Sequence, residues 1–130
     1  MICVDSDCII DFLRGKDYAI KIIGEYKDEL ITTEVNLFEV WLGIYSKNQI
    51  SQKEVDNAKN LFDSLTIFSF KSGEGESAAK ILSNLMKTGD IINYNDCFIA
   101  AIIKKNGVNS IITRNKKHFS KIKDIKVVDY

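Results

Sequence analysis

The feature that most constrains this chain is an alternation. Short apolar runs, each too short to be a helix, are separated by stretches with helical period. MICVD, ELITT, TIFSF, NSIITRN and KVVDY read as five strands. DCIIDFLRG follows the first as a short helix stopped by Gly15, and Asp17 is placed to cap a second helix through Ile20 and Ile23. After Thr33, the residues Leu37, Val40, Trp41, Ile44 and Tyr45 fall on one helical face. Ser51 with Glu54 three residues on reads as a capping box, ahead of the inner stripe Val55, Ala58, Leu61, Phe62 and Leu65. Ser77 to Lys87 is helical and ends near Gly89, and Asn95 to Asn106 is a further helix stopped by Gly107. Strands separated by helices require a parallel sheet covered on both faces, with right-handed crossovers. The fold class is α/β, and 130 residues without a repeat, a low-complexity tract or a linker make one domain, 1–130.

Composition narrows the function classes. The longest apolar run, Phe98 to Ile103, has six residues, far short of the about 20 that a membrane span needs. MICVDSD meets an acid at its fifth residue and has no basic start, so it does not read as a signal peptide, and the cytoplasm is the expected location. Cys3, Cys8 and Cys97 are odd in number and form no CxxC pair, which argues against a disulfide framework and a structural zinc site and for buried thiols. The single histidine, His118, removes any two-His metal motif, and no GxSxG elbow is present for a serine triad.

Net charge is zero, yet the charge is unevenly spread. Residues 104–126 carry seven Lys and one Arg against one acid, while residues 1–103 carry ten basic and sixteen acidic residues. A basic section on an otherwise acidic chain is the footprint of a polyanion partner held beside an acidic centre. The plainer reading is that these lysines solvate the last helix and loops.

The acids fall where a parallel sheet collects ligands, beyond the carboxyl ends of strands. Asp5 ends the first strand, and Asn115 lies just past the apolar part of the fourth. Asp96 opens the very apolar helix FIAAII, and Glu39 flanks the stripe of its helix. Three carboxylates and an amide without His or Cys make a hard oxygen site, suited to Mg²⁺ or Mn²⁺ and to phosphodiester hydrolysis. Each also has a bland alternative: Asp96 as a helix-dipole partner, Asp5 as a helix cap, Glu39 as a solvent-facing side chain.

Four segments together carry a resemblance over nearly the whole chain: MICVDSDCIIDFLRG, TTEVNLFEVWLG, NDCFIAAIIKKNG and IITRNKKHF. The sequence resembles PIN-domain ribonucleases, particularly the VapC toxins of VapBC toxin–antitoxin pairs. That resemblance implies a three-layer α/β/α sandwich and a Mg²⁺- or Mn²⁺-dependent endoribonuclease. Water would attack the scissile phosphate in line, leaving a 5′-phosphate and a 3′-hydroxyl. Asp5, Glu39 and Asp96 match the family's metal-binding acids. Asn115 matches a fourth position that is Asp in many relatives and Asn in many VapC-like ones. Ser6 and Thr113 match supporting positions, and Asp7 and Asp90 are possible substitutes for the acids. An RNA substrate, a VapB-like antitoxin and a homodimer follow as implied partners. Ile20, Ile23, Trp41 and Tyr45 exceed the apparent need of one small sheet face and form a candidate partner surface, with core packing as the alternative.

Three other readings compete. DSDCI carries the Asp-x-Asp pattern of a HAD-type phosphatase, with Asp5 as nucleophile and Asp7 as acid/base, but a late paired-acid motif is missing and Glu39 would have no task. A non-catalytic PIN-like binding module would keep the acids without metal. A phosphoacceptor receiver domain would need an Asp where the third strand runs into Ser-Phe-Lys.

Overall fold

The computed structural model describes residues 1–130 and contains five parallel strands and seven helices. They run β1 (Ile2–Val4), α1 (Ser6–Leu13), α2 (Asp17–Glu25), β2 (Leu30–Thr33), α3 (Glu34–Tyr45), α4 (Gln52–Asp63), β3 (Thr66–Phe68), α5 (Glu74–Lys87), α6 (Tyr94–Lys105), β4 (Ser110–Ile112), α7 (Lys116–Phe119) and β5 (Lys126–Val128). The strand order is β3-β2-β1-β4-β5, every pair parallel. Consecutive strands step outward from β1 to β3, and the chain then crosses back to place β4 on the other side of β1. That reversal is a topological switch point, and the crevice beyond it is where ligands bind in such sheets.

Strand alternation sorts the core into two layers. Ile2 and Val4 of β1, Leu30 of β2 and Ile112 of β4 face one way, against α1, α2, α3 and α4 through Ile9, Ile23, Val40 and Phe62. Cys3, Ile31 and Ile111 face the other, against α5, α6 and α7 through Ala78, Ile99, Ile103 and Phe119. The three-layer sandwich implied by the resemblance is the observed architecture. All three cysteines are free and buried, as their apolar neighbours indicated. No helix is long and apolar enough to cross a membrane.

Several local expectations are corrected. Asp17 is the first residue of α2, not its cap: Lys16 holds that position without a side-chain bond. At α4 only half of the capping box forms. Ser51 accepts from the Glu54 backbone N–H, but the Glu54 carboxylate turns to the Lys47 ammonium at 2.8 Å. The reciprocal box instead sits at α3, between Thr33 and Asn36. Helix α5 begins at Glu74, three residues before Ser77, because Gly73 takes a left-handed φ of 88° that ends the preceding turn. The segment after β4 contains a short helix, α7, which was not expected. Its charged KKH stretch shows no apolar period, and only Phe119 anchors it in the core.

Candidate active site

Asp5 follows β1 and caps α1, so the bland reading of this residue as a cap is correct without excluding a second role. Its Oδ1 accepts from the Ser6 N–H at 2.9 Å and the Asn36 side-chain amide at 2.8 Å, while Oδ2 accepts from the Thr113 hydroxyl at 2.7 Å. Every donor is neutral, and Asp5 is only 5% exposed. Burial first, then the nearby Asp7, raise the Asp5 pKa from 3.8 to about 7, against the opposing bonds from Thr113 and Ser6.

The other three predicted residues join the same network. Glu39 projects from α3 and its Oε1 accepts from the Ser6 hydroxyl at 2.8 Å. Asp96 sits in the first turn of α6, only 6% exposed, and its Oδ2 accepts from the Asn115 amide at 2.9 Å. Asn115 is the residue before α7, and its backbone N–H donates to the Thr113 hydroxyl at 2.9 Å, which donates onward to Asp5. Burial is the main cause that raises the pKa of both Glu39 and Asp96. Asp96 adds to the rise at Glu39, and Asp7 adds to both, as like charges must. Asp5, Glu39 and Asp96, with Asn115, thus meet at the carboxyl ends of β1 and β4, at the switch point.

Sequence reasoning missed two members. His118 is the single histidine of the chain, and nothing beside it in sequence marks it as part of a site. One turn of α7 carries its Nδ1 to 2.7 Å from Asp96 Oδ2, where it donates to the carboxylate beside Asn115. Asn36, fully buried, ties the α3 cap to the acid site. Its Oδ1 accepts from Thr33 N–H and hydroxyl while its amide reaches Asp5 and the Ser6 hydroxyl. The three-residue step from Thr33 to Asn36, the spacing of a capping box, was the available signal.

The two substitute acids separate. Asp7 adjoins the cluster, but its Oδ1 accepts from the Cys8 N–H and its Oδ2 from the Arg114 N–H, so it fastens the 113–115 loop to α1. Asp90 takes no part: Lys121 and Thr88 hold its carboxylate and lower its pKa.

No group of three His, Cys, Asp or Glu side chains is spaced as a ready-made ion cage. The donor chemistry nevertheless fits a hard divalent cation. The carboxylates are desolvated and mutually repelling, none of the three thiols bonds to them, and the bonds at Asp96 all use Oδ2, leaving Oδ1 open.

A parallel α/β domain with a carboxylate cluster at its switch point suits divalent-cation phosphodiester chemistry. The PIN domain family model matches residues 2–125, and the chain belongs to the PIN domain family. Solved structures share the fold at low identity. VapBC2 from Rickettsia felis, bound to a DNA fragment of its promoter, is 18% identical with a TM-score of 0.84 over 100% of this chain and 99% of that one. VapBC-1 from nontypeable Haemophilus influenzae is 23% identical with a TM-score of 0.82 over 99% and 98%. VapC20 from Mycobacterium tuberculosis, a toxin that cleaves the sarcin-ricin loop, is 15% identical with a TM-score of 0.63 over 85% and 87%. Comparison with curated protein sequences returns no match.

Proposed function

We propose that this chain is a single-domain, divalent-metal-dependent endoribonuclease over residues 1–130 and the toxin of a toxin–antitoxin pair acting in the cytoplasm. The observation that carries the reading is the convergence of Asp5, Glu39 and Asp96 at the switch point of a PIN domain. The toxin–antitoxin relatives that share the fold support the second half.

Asp5, Glu39 and Asp96 would hold Mg²⁺ or Mn²⁺. Such a cation, when bound, would polarise a phosphoryl oxygen and lower the pKa of water toward neutrality. The chain's own residues orient the acids. Thr113 and Asn36 fix both oxygens of Asp5, Ser6 aims Glu39, and Asn115 with His118 turns Asp96 so that Oδ1 faces away from them. Supports of this kind govern ligand orientation and metal affinity.

The partner surface differs from the one expected. Ile23 lies in the core, and Trp41 is half-buried, packed edge-on to Phe62 and stacked on Tyr45. Ile20 and Tyr45 are exposed as expected, and beside the acids the exposed apolar residues are Phe38 and Leu42 of α3, 57% and 55% exposed. With Ile10 they line a groove of about 520 Å³ that runs from Ser6, Asp7 and Glu39 to Ser46. An apolar antitoxin segment fits there, with a basic residue reaching the acids. A homodimer completes the reading.

The test is cleavage of RNA by the purified chain with Mn²⁺. The reading requires cleavage that EDTA and Asp5→Asn both abolish, and growth arrest on expression that the neighbouring small protein relieves. Cleavage that persists in EDTA overturns it. Asp7→Asn separates the phosphatase alternative, since it would abolish phosphatase action and only weaken a nuclease.

A further inference from the structure

The largest groove of the molecule is not the acid site. It measures about 950 Å³ and lies between α5, α6 and the segment after α7. Lys80, Lys104, Lys105, Lys121 and Lys123 line it, against a single acid, Asp90. Three stretches far apart in sequence bring five cations into one concavity of a chain whose net charge is zero.

Most of that charge is uncompensated. Asp90 pairs with Lys121 at 3.2 Å, and Lys80 has only the solvent-exposed Glu76 at 3.5 Å. Lys104 and Lys105 donate to backbone carbonyls, of Lys123 at 3.1 Å and Ser72 at 2.7 Å, and neither of them nor Lys123 meets a carboxylate. Solvation of the helix end explains part of this, since cations favour the last turn of α6. It does not explain why Lys80 and Lys123, from other segments, face the same space.

The groove is oriented by α6. That helix opens beside Asp96 and closes on Lys104, eight residues and so about 12 Å further along its axis. The near end holds Asp90 and Lys121, the latter two residues past α7 with its His118 bond to Asp96. Lys121 is thus the groove cation that stands nearest in the chain to the His118–Asp96 bond, and a strand leaving the acids along α6 would meet the groove there.

We propose that this groove is the track for the phosphodiester backbone of the substrate RNA on one side of the scissile bond, gripped through charge and not through base identity. The proposal deepens the ribonuclease reading and rests on it. Neutralised phosphates release counterions, so each lost contact lowers the salt dependence of single-strand binding by about 0.7 in log–log slope.

The experiment compares the wild type with Lys104→Gln/Lys105→Gln/Lys123→Gln, and with the control Lys16→Gln/Lys21→Gln/Lys27→Gln, which removes equal charge from exposed positions in and around α2. Fluorescence anisotropy of a labelled RNA, kept intact by EDTA, is followed against KCl. The groove variant is expected to lose about 2 from the slope and on the order of tenfold in affinity at low salt, with the control near wild type. In cleavage assays KM should rise on a long RNA, while a dinucleotide substrate too short to enter the groove shows no change. Equal losses in both triple variants, or an unchanged slope in the groove variant, overturn the proposal. Tighter groove-dependent binding of double-stranded DNA than of RNA also overturns it. If the wild type cleaves nothing but binds RNA through the groove, the catalytic reading falls and the groove stands. If it cleaves with no groove dependence, the reverse holds.

Discussion

The acid site and the lysine groove share α6 and are built on opposite principles. At the acid site each functional carboxylate is held by short bonds from fixed donors, and burial with the crowding of like charges lifts the pKa values. In the groove the lysines bond to backbone carbonyls or to the carboxylates of Asp90 and Glu76, over a floor of buried Leu85, Ala101 and Ile122. Chemistry on a phosphate needs ligands fixed in place, and networks of satisfied buried bonds provide that. Holding a flexible polyanion needs only positive potential, which exposed lysines supply without desolvation.

The contrast breaks most sharply at the acids. Asp5→Asn or Asp96→Asn should lower kcat/KM for RNA with Mn²⁺ at least about a thousandfold, about 4 kcal/mol of transition-state stabilisation. Glu39→Gln should do the same or slightly less. Circular dichroism should show the folds intact.

The supporting shell comes next. Thr113→Val removes the bond to Asp5, and His118→Gln alters the one to Asp96. Each should cost about 10–100-fold in activity or metal affinity. Higher Mn²⁺ should rescue them in part, as it cannot rescue Asp5→Asn. A titration of activity against Mn²⁺ reads the difference.

Stability probes the crowding itself. The Asp5 pKa is raised on folding, so its neutral form favours the fold below about pH 4, and that contribution is lost as pH rises through about 7. In EDTA at pH 8, Asp5→Asn should therefore melt above the wild type, roughly 5–10 °C for about 2 kcal/mol. At pH 4 the two should coincide. Millimolar Mn²⁺ should raise the wild-type melting temperature, because binding to the folded state alone stabilises it, and should leave Asp5→Asn nearly unmoved. A wild-type curve indifferent to Mn²⁺ and Mg²⁺ would favour a non-catalytic PIN-like module.

The smallest effect belongs to the apolar strip. Phe38→Ser and Leu42→Ser should leave melting and RNA cleavage near wild type, since both side chains are exposed, but weaken the antitoxin complex by about tenfold or more in a pull-down titration.

Sequence alone determined what depends on neighbours in the chain. Five strands, most of the helices between them and a parallel sheet covered on both faces follow from apolar period and helix stops, and the resemblance implied the three-layer sandwich. The acids were legible because strand ends and helix starts are local features. What only the tertiary structure decided is how those local pieces meet. Asn36 reaches Asp5 across 31 residues, Thr113 reaches it across 108, and His118 reaches Asp96 across 22 through a helix too short to show a period. Trp41 packs on Phe62 while Phe38 and Leu42 face out, although all but Phe62 lie on one helix. Four of the five groove lysines lie in the basic section 104–126, but that they share one concavity with Lys80 of α5 is decided by the fold. Periodicity records which face of an element is apolar. It carries no term for which other element that face, or a polar side chain beside it, will meet once the sheet closes.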